Sequence, residues 1–206
     1  MATTSDLLEL IDLLGGNSPT PPPSPTLLAI DLGGTMGWAM WKSGEVTSGS
    51  IDLTRRRGKR FDGPGMKFVR FDRWLRSMPQ PSLISFEEVR RHRGVDAAHA
   101  YGGYLSHLTA FCDVQDPQIP YEGVGVGAIK KRATGNGTAS KEMMVDACCG
   151  KLGIIPVDDN EADAAWLLVL MVEAEGREWP GGPVEQPPEK LKSVKKKAKR
   201  KGKTTS

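Results

Sequence analysis

Residues 27–35 read Leu27-Leu28-Ala29-Ile30-Asp31-Leu32-Gly33-Gly34-Thr35, an apolar run that ends in an acid and two glycines. The apolar run predicts a buried strand, and the glycines predict a sharp turn at its end. Such a turn places the Asp31 carboxylate at the edge of a sheet beside bare backbone, where a metal ion or a phosphate could bind. Taken alone, the segment is also compatible with a hairpin turn in which Asp31 accepts hydrogen bonds from nearby backbone amides.

The charge of the chain is concentrated at its C-terminal end. The chain has 206 residues and a formal net charge of +3, and 38% of its residues are hydrophobic, which suits one well-buried domain. Residues 189–203 hold nine lysines or arginines and one acid, about +8 in total, which leaves residues 1–188 near −5. A basic segment of this kind favours a nucleic-acid partner, although an acidic partner or simple solubility would also explain it.

The cysteines and the hydropathy of the chain indicate where in the cell the protein is located. Cys112, Cys148 and Cys149 have no spacing typical of a zinc site, and we interpret them as reduced core thiols. The chain contains no stretch of about 18 apolar residues, and its acidic, leucine-rich start lacks the charged region of a signal peptide. We therefore expect a soluble, cytoplasmic protein with no membrane partner.

Three regions are predicted along the chain. Residues 1–26 form an arm with a short amphipathic helix candidate and a proline-rich linker, either a tether, a docking peptide or a disordered terminus. Residues 27–176 form the folded body. Residues 177–206 form a disordered basic tail.

The body alternates between strand and helix patterns after an initial meander. We predict strands at 27–31, 36–42, 45–53, 83–89 and 121–126, and helices at about 65–78, 95–112, 140–152 and from 158 onward. A basic, flexible segment is expected at 54–61. Three antiparallel strands followed by alternating helices and strands predict an α/β fold on a mixed sheet.

Acids recur at the margins of the apolar segments. Asp31 and Glu87 end two predicted buried strands, and four more acids lie at the start of the last helix: Asp158, Asp159, Glu161 and Asp163. Acids in such positions are costly unless they are paired or bind cations, so their repetition indicates a shared metal site. Oxygen-only ligands favour Mg²⁺ or Mn²⁺, and two such ions can support phosphodiester hydrolysis by a metal-activated water.

Strand and helix periodicity select among these acids. Glu87 shares a strand face with Ser85, whereas Glu88 shares one with Phe86, which must be packed, so Glu87 is the better ligand. On the last helix Asp159, Asn160 and Asp163 can face one point. Helix capping is the alternative role for Asp158 and for Asp159.

Four segments together resemble the RuvC-type Holliday junction resolvases of the ribonuclease H-like superfamily, in a form similar to those of bacteriophages. The similarity spans residues 27–173 in the order of the family. The matching segments are Ala29-Ile30-Asp31-Leu32-Gly33, Ser85-Phe86-Glu87-Glu88-Val89, Lys130-Lys131-Arg132-Ala133-Thr134-Gly135-Asn136-Gly137-Thr138-Ala139-Ser140-Lys141 and Asn160-Glu161-Ala162-Asp163-Ala164-Ala165.

The resemblance implies a ribonuclease H-like fold with a mixed five-stranded sheet flanked by helices. It also implies a crossover junction endodeoxyribonuclease that uses Mg²⁺, or Mn²⁺ in its place. The resemblance gives Asp31, Glu87 and Asp163 as the metal ligands. If the protein is viral, the implied location is the host cytoplasm. Asn160 stands where the family usually has Asp or His, so either Asn160 or Asp159 is the fourth ligand. The resemblance places Lys130, Lys131 and Lys141 near the scissile DNA.

The segment Arg90-Arg91-His92-Arg93 stands where the family often carries an aromatic residue. We expect Arg90, Arg91 and Arg93 to contact DNA through guanidinium stacking or phosphates. Lys130 to Arg132 lead into a glycine-rich loop that phosphates can approach closely. A solvated surface is the alternative for each basic segment alone.

The expected function is therefore a metal-dependent endonuclease for Holliday junctions or other branched DNA. Symmetric cutting of a junction predicts a homodimer. The helix at 95–112 offers small and apolar or aromatic residues for its interface, namely Tyr101, Gly102, Gly103, Tyr104 and Leu108. Packing within one chain explains these residues almost as well. Two alternatives remain. Residues 31–35 resemble the first phosphate loop of actin-like-fold sugar kinases, and the basic tail would suit a non-catalytic DNA-binding protein.

Overall fold

A computed structural model of the chain describes residues 24–54, 62–90 and 94–180. The predictions for the N-terminal arm up to residue 23, for most of the basic segment at 54–61 and for the tail from residue 181 lie outside the described residues. So do those for Arg91 and Arg93.

The sheet has five strands in the order β3-β2-β1-β4-β5. Strands β1 (Leu27–Asp31), β2 (Thr35–Lys42) and β3 (Glu45–Asp52) form an antiparallel meander, and β4 (Leu83–Glu88) and β5 (Tyr121–Gly125) add to β1 in parallel. A two-residue turn joins β2 to β3, with φ of 54° at Ser43 and 86° at Gly44, as the right-handed twist of a hairpin requires. The predicted α/β class with a mixed five-stranded sheet is confirmed.

Five α-helices cover the two faces of this sheet in the described residues. They are α1 (Met66–Ser77), α2 (Val95–Asp113), α3 (Val126–Thr134), α4 (Lys141–Ala147), which continues into a π-helical turn (Cys148–Leu152), and α5 (Asp159–Ala174). The helix α3 was not predicted, and Lys130 and Lys131 lie on it rather than in a loop. Its apolar stripe is only Ile129 and Ala133, one turn apart, which is too short for a periodic signal.

Strand β1 is buried on both faces because it lies at the centre of the sheet. Leu27 and Ala29 face the core formed with α3, α4 and α5, whereas Leu28 and Ile30 face the core formed with α1 and α2. This two-sided burial explains the uninterrupted apolar run of β1. Asp31 continues the face of Leu27 and Ala29, so its side chain points toward α5.

Helix α5 rests directly on β2 at Gly37. Gly37 is the residue paired with Asp31 in the sheet, and a Cβ atom built on it would lie 1.9 Å from the backbone oxygen of Asn160. Only glycine permits this approach. The start of α5, and Asp163 with it, is thereby brought next to the end of β1.

The packed chain extends slightly beyond the boundary expected at Gly176. The indole Nε1 of Trp179 donates to the carbonyl oxygen of Leu152 at 3.3 Å, and Trp179 packs against the α5-side core. All three cysteines are buried, and they form no disulfide with one another. Among the described helices, none combines the length and the apolar character needed to cross a membrane.

Candidate metal centre

Three carboxylates from three separate elements converge at one edge of the sheet. Asp31 is the last residue of β1, Glu87 is the penultimate residue of β4, and Asp163 lies on α5. One oxygen of each lies within 4.8 Å of the others. We call Asp31, Glu87 and Asp163 the acidic triad.

Strand alternation decides which glutamate of β4 joins the triad. Glu87 is on the strand face of Leu83 and Ser85, toward α5, and only 9% of it is exposed. Phe86 and Ile84 fill the opposite core. Glu88 lies on the same strand face as Ile84 and Phe86, at the exposed end of β4. It forms an ion pair with Arg90 at 3.1 Å, in which the Arg90 side chain is 83% exposed and the Glu88 side chain 39% exposed.

Burial raises the pKa values of all three triad carboxylates. Burial raises the pKa of Asp31 well above its ordinary value, and the charges of Glu87 and then Asp163 raise it further. Burial, followed by the charge of Glu87, raises the pKa of Asp163 to about 7. Burial also raises the pKa of Glu87, although its hydrogen bond with Asp31 and the charges of Lys130 and Lys141 oppose the shift.

These residues fit a hard divalent cation. Carboxylate oxygens are the donors that Mg²⁺ and Mn²⁺ prefer. The Oδ1 atom of Asp163 is buried and accepts no hydrogen bond from any residue that the structure describes. A buried carboxylate oxygen without a donor is costly, and a metal ion bound between the three acids would satisfy it.

Two of the other predicted acids hold the start of α5 in place. Asp158 caps the helix by accepting from the backbone amide of Glu161 at 2.9 Å, and it accepts from the Ser50 hydroxyl at 2.7 Å. Glu161 is buried, and it accepts from the Ser48 hydroxyl at 2.7 Å and from the amide of Val157 at 2.6 Å. Both residues therefore connect α5 to its surroundings and do not belong to the triad.

The two candidates for a fourth ligand lie in different surroundings. Asp159 forms an ion pair with Lys141, and its charge raises the pKa of Asp31 and of Asp163, so it borders the triad. Asn160 is partly buried, and its backbone oxygen packs against Gly37. Asp159 is not among the acids whose oxygens lie within 4.8 Å of one another.

The predicted basic residues divide into those beside the triad and those farther out. Lys130 donates to the carbonyl oxygen of Ala139 at 2.8 Å, and the charges of Lys130 and Lys141 both lower the pKa of Glu87 and Asp163, which places both cations beside the triad. Lys131 is exposed on α3, and Arg90 is exposed after β4.

Sequence reasoning missed the residue that holds the end of β4. The Tyr101 hydroxyl donates to the backbone oxygen of Glu87 at 3.1 Å and accepts from the amide of Val89 at 3.4 Å. Tyr104 and Leu108 lie in the core, and a Cβ on Gly103 would lie 2.3 Å from the Phe68 ring. These α2 residues, expected as possible dimer contacts, thus pack largely within one chain. Gly37 pairs with Asp31 only in the observed register, because the predicted strand ends would place residue 36 opposite Asp31, so its role had no clear signal in the sequence.

Comparison with known proteins gives structural likeness and no sequence match. No model of a known protein family matches the chain. No curated protein matches it either. The structure of Thermus thermophilus RuvC in complex with a Holliday junction substrate superposes with a TM-score of 0.56 and 18% identity, covering 78% of this chain and 99% of that chain.

Two further solved structures align over a similar extent. A second Thermus thermophilus RuvC structure gives a TM-score of 0.50 at 18% identity, covering 77% of this chain and 99% of the other. The yeast mitochondrial Holliday junction resolvase Ydc2 gives 0.49 at 17% identity, covering 81% and 83%. At such identities the likeness to RuvC concerns the fold, and the chain therefore has the RuvC-type, ribonuclease H-like fold that the sequence resemblance implied.

Proposed function

We propose that this protein is a metal-dependent, structure-selective endonuclease that resolves Holliday junctions or other branched DNA. The observation that carries the proposal is the acidic triad, in which one buried and two partly buried carboxylates from β4, β1 and α5 lie around one point. A non-catalytic DNA-binding protein would have no use for this costly arrangement. The fold shared with RuvC, which has been solved with a Holliday junction substrate, supports branched DNA as the substrate class.

The proposed chemistry assigns a role to each part of the site. Asp31, Glu87 and Asp163 would hold Mg²⁺, or Mn²⁺ in its place, and the fourth donor is Asn160 or Asp159. A bound divalent cation supplies an activated water and stabilises the leaving oxygen of the phosphodiester. Lys130 and Lys141 bring positive charge to a centre that would otherwise repel the phosphate.

The DNA contacts proposed outside the centre are electrostatic. Lys131 on α3 and Arg90 after β4 are exposed, and Arg91 and Arg93 adjoin Arg90 in the chain. Cations of this kind bind the backbone and position the duplex arms without reading bases. We also propose a homodimer, because symmetric cutting of a two-fold junction requires two centres.

The direct test is cleavage of labelled four-way junctions, forks and linear duplexes by the full chain, with Mg²⁺, Mn²⁺ or a chelator. We expect cleavage of branched substrates that needs the metal, and an Asp31→Asn variant that still binds the junction but cuts it at least about 100-fold more slowly. Substantial metal-dependent cleavage by Asp31→Asn would contradict the assignment of the centre.

A further inference from the structure

Of the two lysines beside the acidic triad in the described residues, only Lys141 is well exposed, and it forms an ion pair with Asp159. The Lys141 side chain is 72% exposed, whereas Lys130 is partly buried and already donates to the Ala139 carbonyl. Lys141 is therefore the cation beside the triad that an incoming phosphate can reach most directly.

The Asp159 carboxylate is close enough to act electrostatically on both the acidic triad and Lys141. It is four residues before Asp163 on α5, so the two side chains lie on one face of the helix. Its carboxylate accepts from the Lys141 ammonium, and only 27% of its side chain is exposed. While the pair is formed, Asp159 neutralises the charge that a DNA phosphate would use.

We propose that Asp159 is an internal counter-ion that occupies Lys141 in the free protein and gives it up to a DNA phosphate when substrate binds. This inference rests on the proposed function and adds a role for an acid that the metal centre does not require.

The strength of the pair suits exchange. Because the Lys141 partner is well exposed, solvent screens the pair, and such pairs change an equilibrium by about fivefold, so Asp159 competes with phosphate without blocking it. A phosphate that displaces Asp159 gains a charge-assisted hydrogen bond from Lys141. The displaced carboxylate, no longer paired, stays beside α5 and can turn to solvent.

The test compares DNA affinity of full-length variants by fluorescence anisotropy, with a labelled four-way junction and a matched duplex, in chelator and over a range of salt concentrations. We expect Asp159→Asn to bind DNA about two- to fivefold more tightly than the wild type at low salt, with a steeper salt dependence by up to about one ion. The gain should disappear in a Lys141→Gln background, because the freed ammonium is then absent.

Two controls separate this role from others. Glu142→Gln removes an equal charge from the residue next to Lys141, and we expect it to change affinity less than Asp159→Asn does. Mn²⁺ binding without DNA, measured by calorimetry, should be retained by Asp159→Asn and weakened at least about tenfold by Asp163→Asn.

Each contrary result has a distinct meaning. Unchanged affinity of Asp159→Asn, an equal gain in Glu142→Gln, a gain that persists without Lys141, or loss of Mn²⁺ binding in Asp159→Asn would each overturn the inference while leaving the proposed nuclease intact. A wild-type chain that binds neither DNA would overturn the proposed function and this inference together.

Discussion

Adjacent residues of one strand carry different roles because strand side chains alternate. Glu87 faces α5 and joins the acidic triad, whereas Glu88 is more exposed and pairs with Arg90. The two side chains are both glutamates at adjacent positions of β4, but they lie on opposite faces of the strand and differ in burial. They therefore form a natural matched pair for testing the proposed centre.

We expect Glu87→Gln to lower junction cleavage by at least about 100-fold, because loss of one carboxylate charge weakens metal binding. Glu88→Gln should change cleavage by less than about threefold, since an exposed ion pair contributes little. Single-turnover cleavage at a fixed metal concentration, no higher than the one that half-saturates the wild type, measures both. Equal losses in the two variants would show that charge near the end of β4, and not membership of the triad, is what matters.

Much of the site at this scale was predictable. The parity of β4 separates Glu87 from Glu88, and the apolar run before Asp31 marks a buried strand end. The pairing of Lys141 with Asp159 and the bond from Tyr101 to the end of β4 were not, because they join residues that only the packed fold brings together. Local patterns carry no information on such contacts.

At the scale of elements, the position of α5 decides whether the triad forms. Gly37 lets the start of α5 touch β2, and the Asp158 and Glu161 carboxylates tie the same turn to Ser50 and Ser48 of β3. The sequence predicts α5 and its cap well. How closely α5 approaches the sheet depends on the absence of one side chain on another element.

A Gly37→Ala variant should therefore displace α5. A Cβ 1.9 Å from the Asn160 oxygen cannot be accommodated without backbone movement, and we expect a loss of about 1–3 kcal/mol of unfolding free energy, with a large loss of cleavage. Denaturant unfolding and the cleavage assay measure the two effects.

Gly127→Ala provides the comparison for stability. The nearest atom to a Cβ at Gly127 lies at 3.9 Å, and the residue is helical, so the variant should gain up to about 1 kcal/mol. A Gly37→Ala protein as stable and as active as the wild type would mean that α5 does not need this close contact.

For the whole molecule, the triad should make stability depend on pH. The pKa values of Asp31, Glu87 and Asp163 are raised in the folded protein, that of Asp163 from 3.8 to about 7. Without metal the folded state therefore binds more protons than the unfolded state between about pH 4 and 7. Stability from these groups is present below their ordinary pKa values and is lost as the pH rises through the raised ones.

In chelator, we expect the unfolding free energy of the wild type to fall from pH 5 to pH 8, and Asp163→Asn to flatten that fall. Added Mg²⁺ should restore more stability at pH 8 than at pH 5, because protons compete with the cation for the same oxygens. Denaturant unfolding at both pH values provides the measurement. Identical pH dependence of the two proteins would contradict the raised pKa of Asp163.

The assembly prediction also belongs to the whole molecule. Tyr104 and Leu108 are buried and Gly103 packs against Phe68 within the chain, so these three residues are not available to a dimer interface. We expect sedimentation velocity to show a two-fold dimer on junction DNA. A monomer both free and on the junction would remove the dimer from the proposal without affecting the acidic triad.

The wide separation of the three acids along the chain has a consequence for biosynthesis. The strands that carry Asp31 and Glu87 are translated well before α5, which brings Asp163 and covers the same face of the sheet. A nascent or truncated polypeptide that stops before α5 holds two of the three carboxylates and lacks the helix that encloses them. Under the proposed nuclease function, a nascent chain would therefore be unable to cut DNA until α5 docks on the sheet and completes the acidic triad.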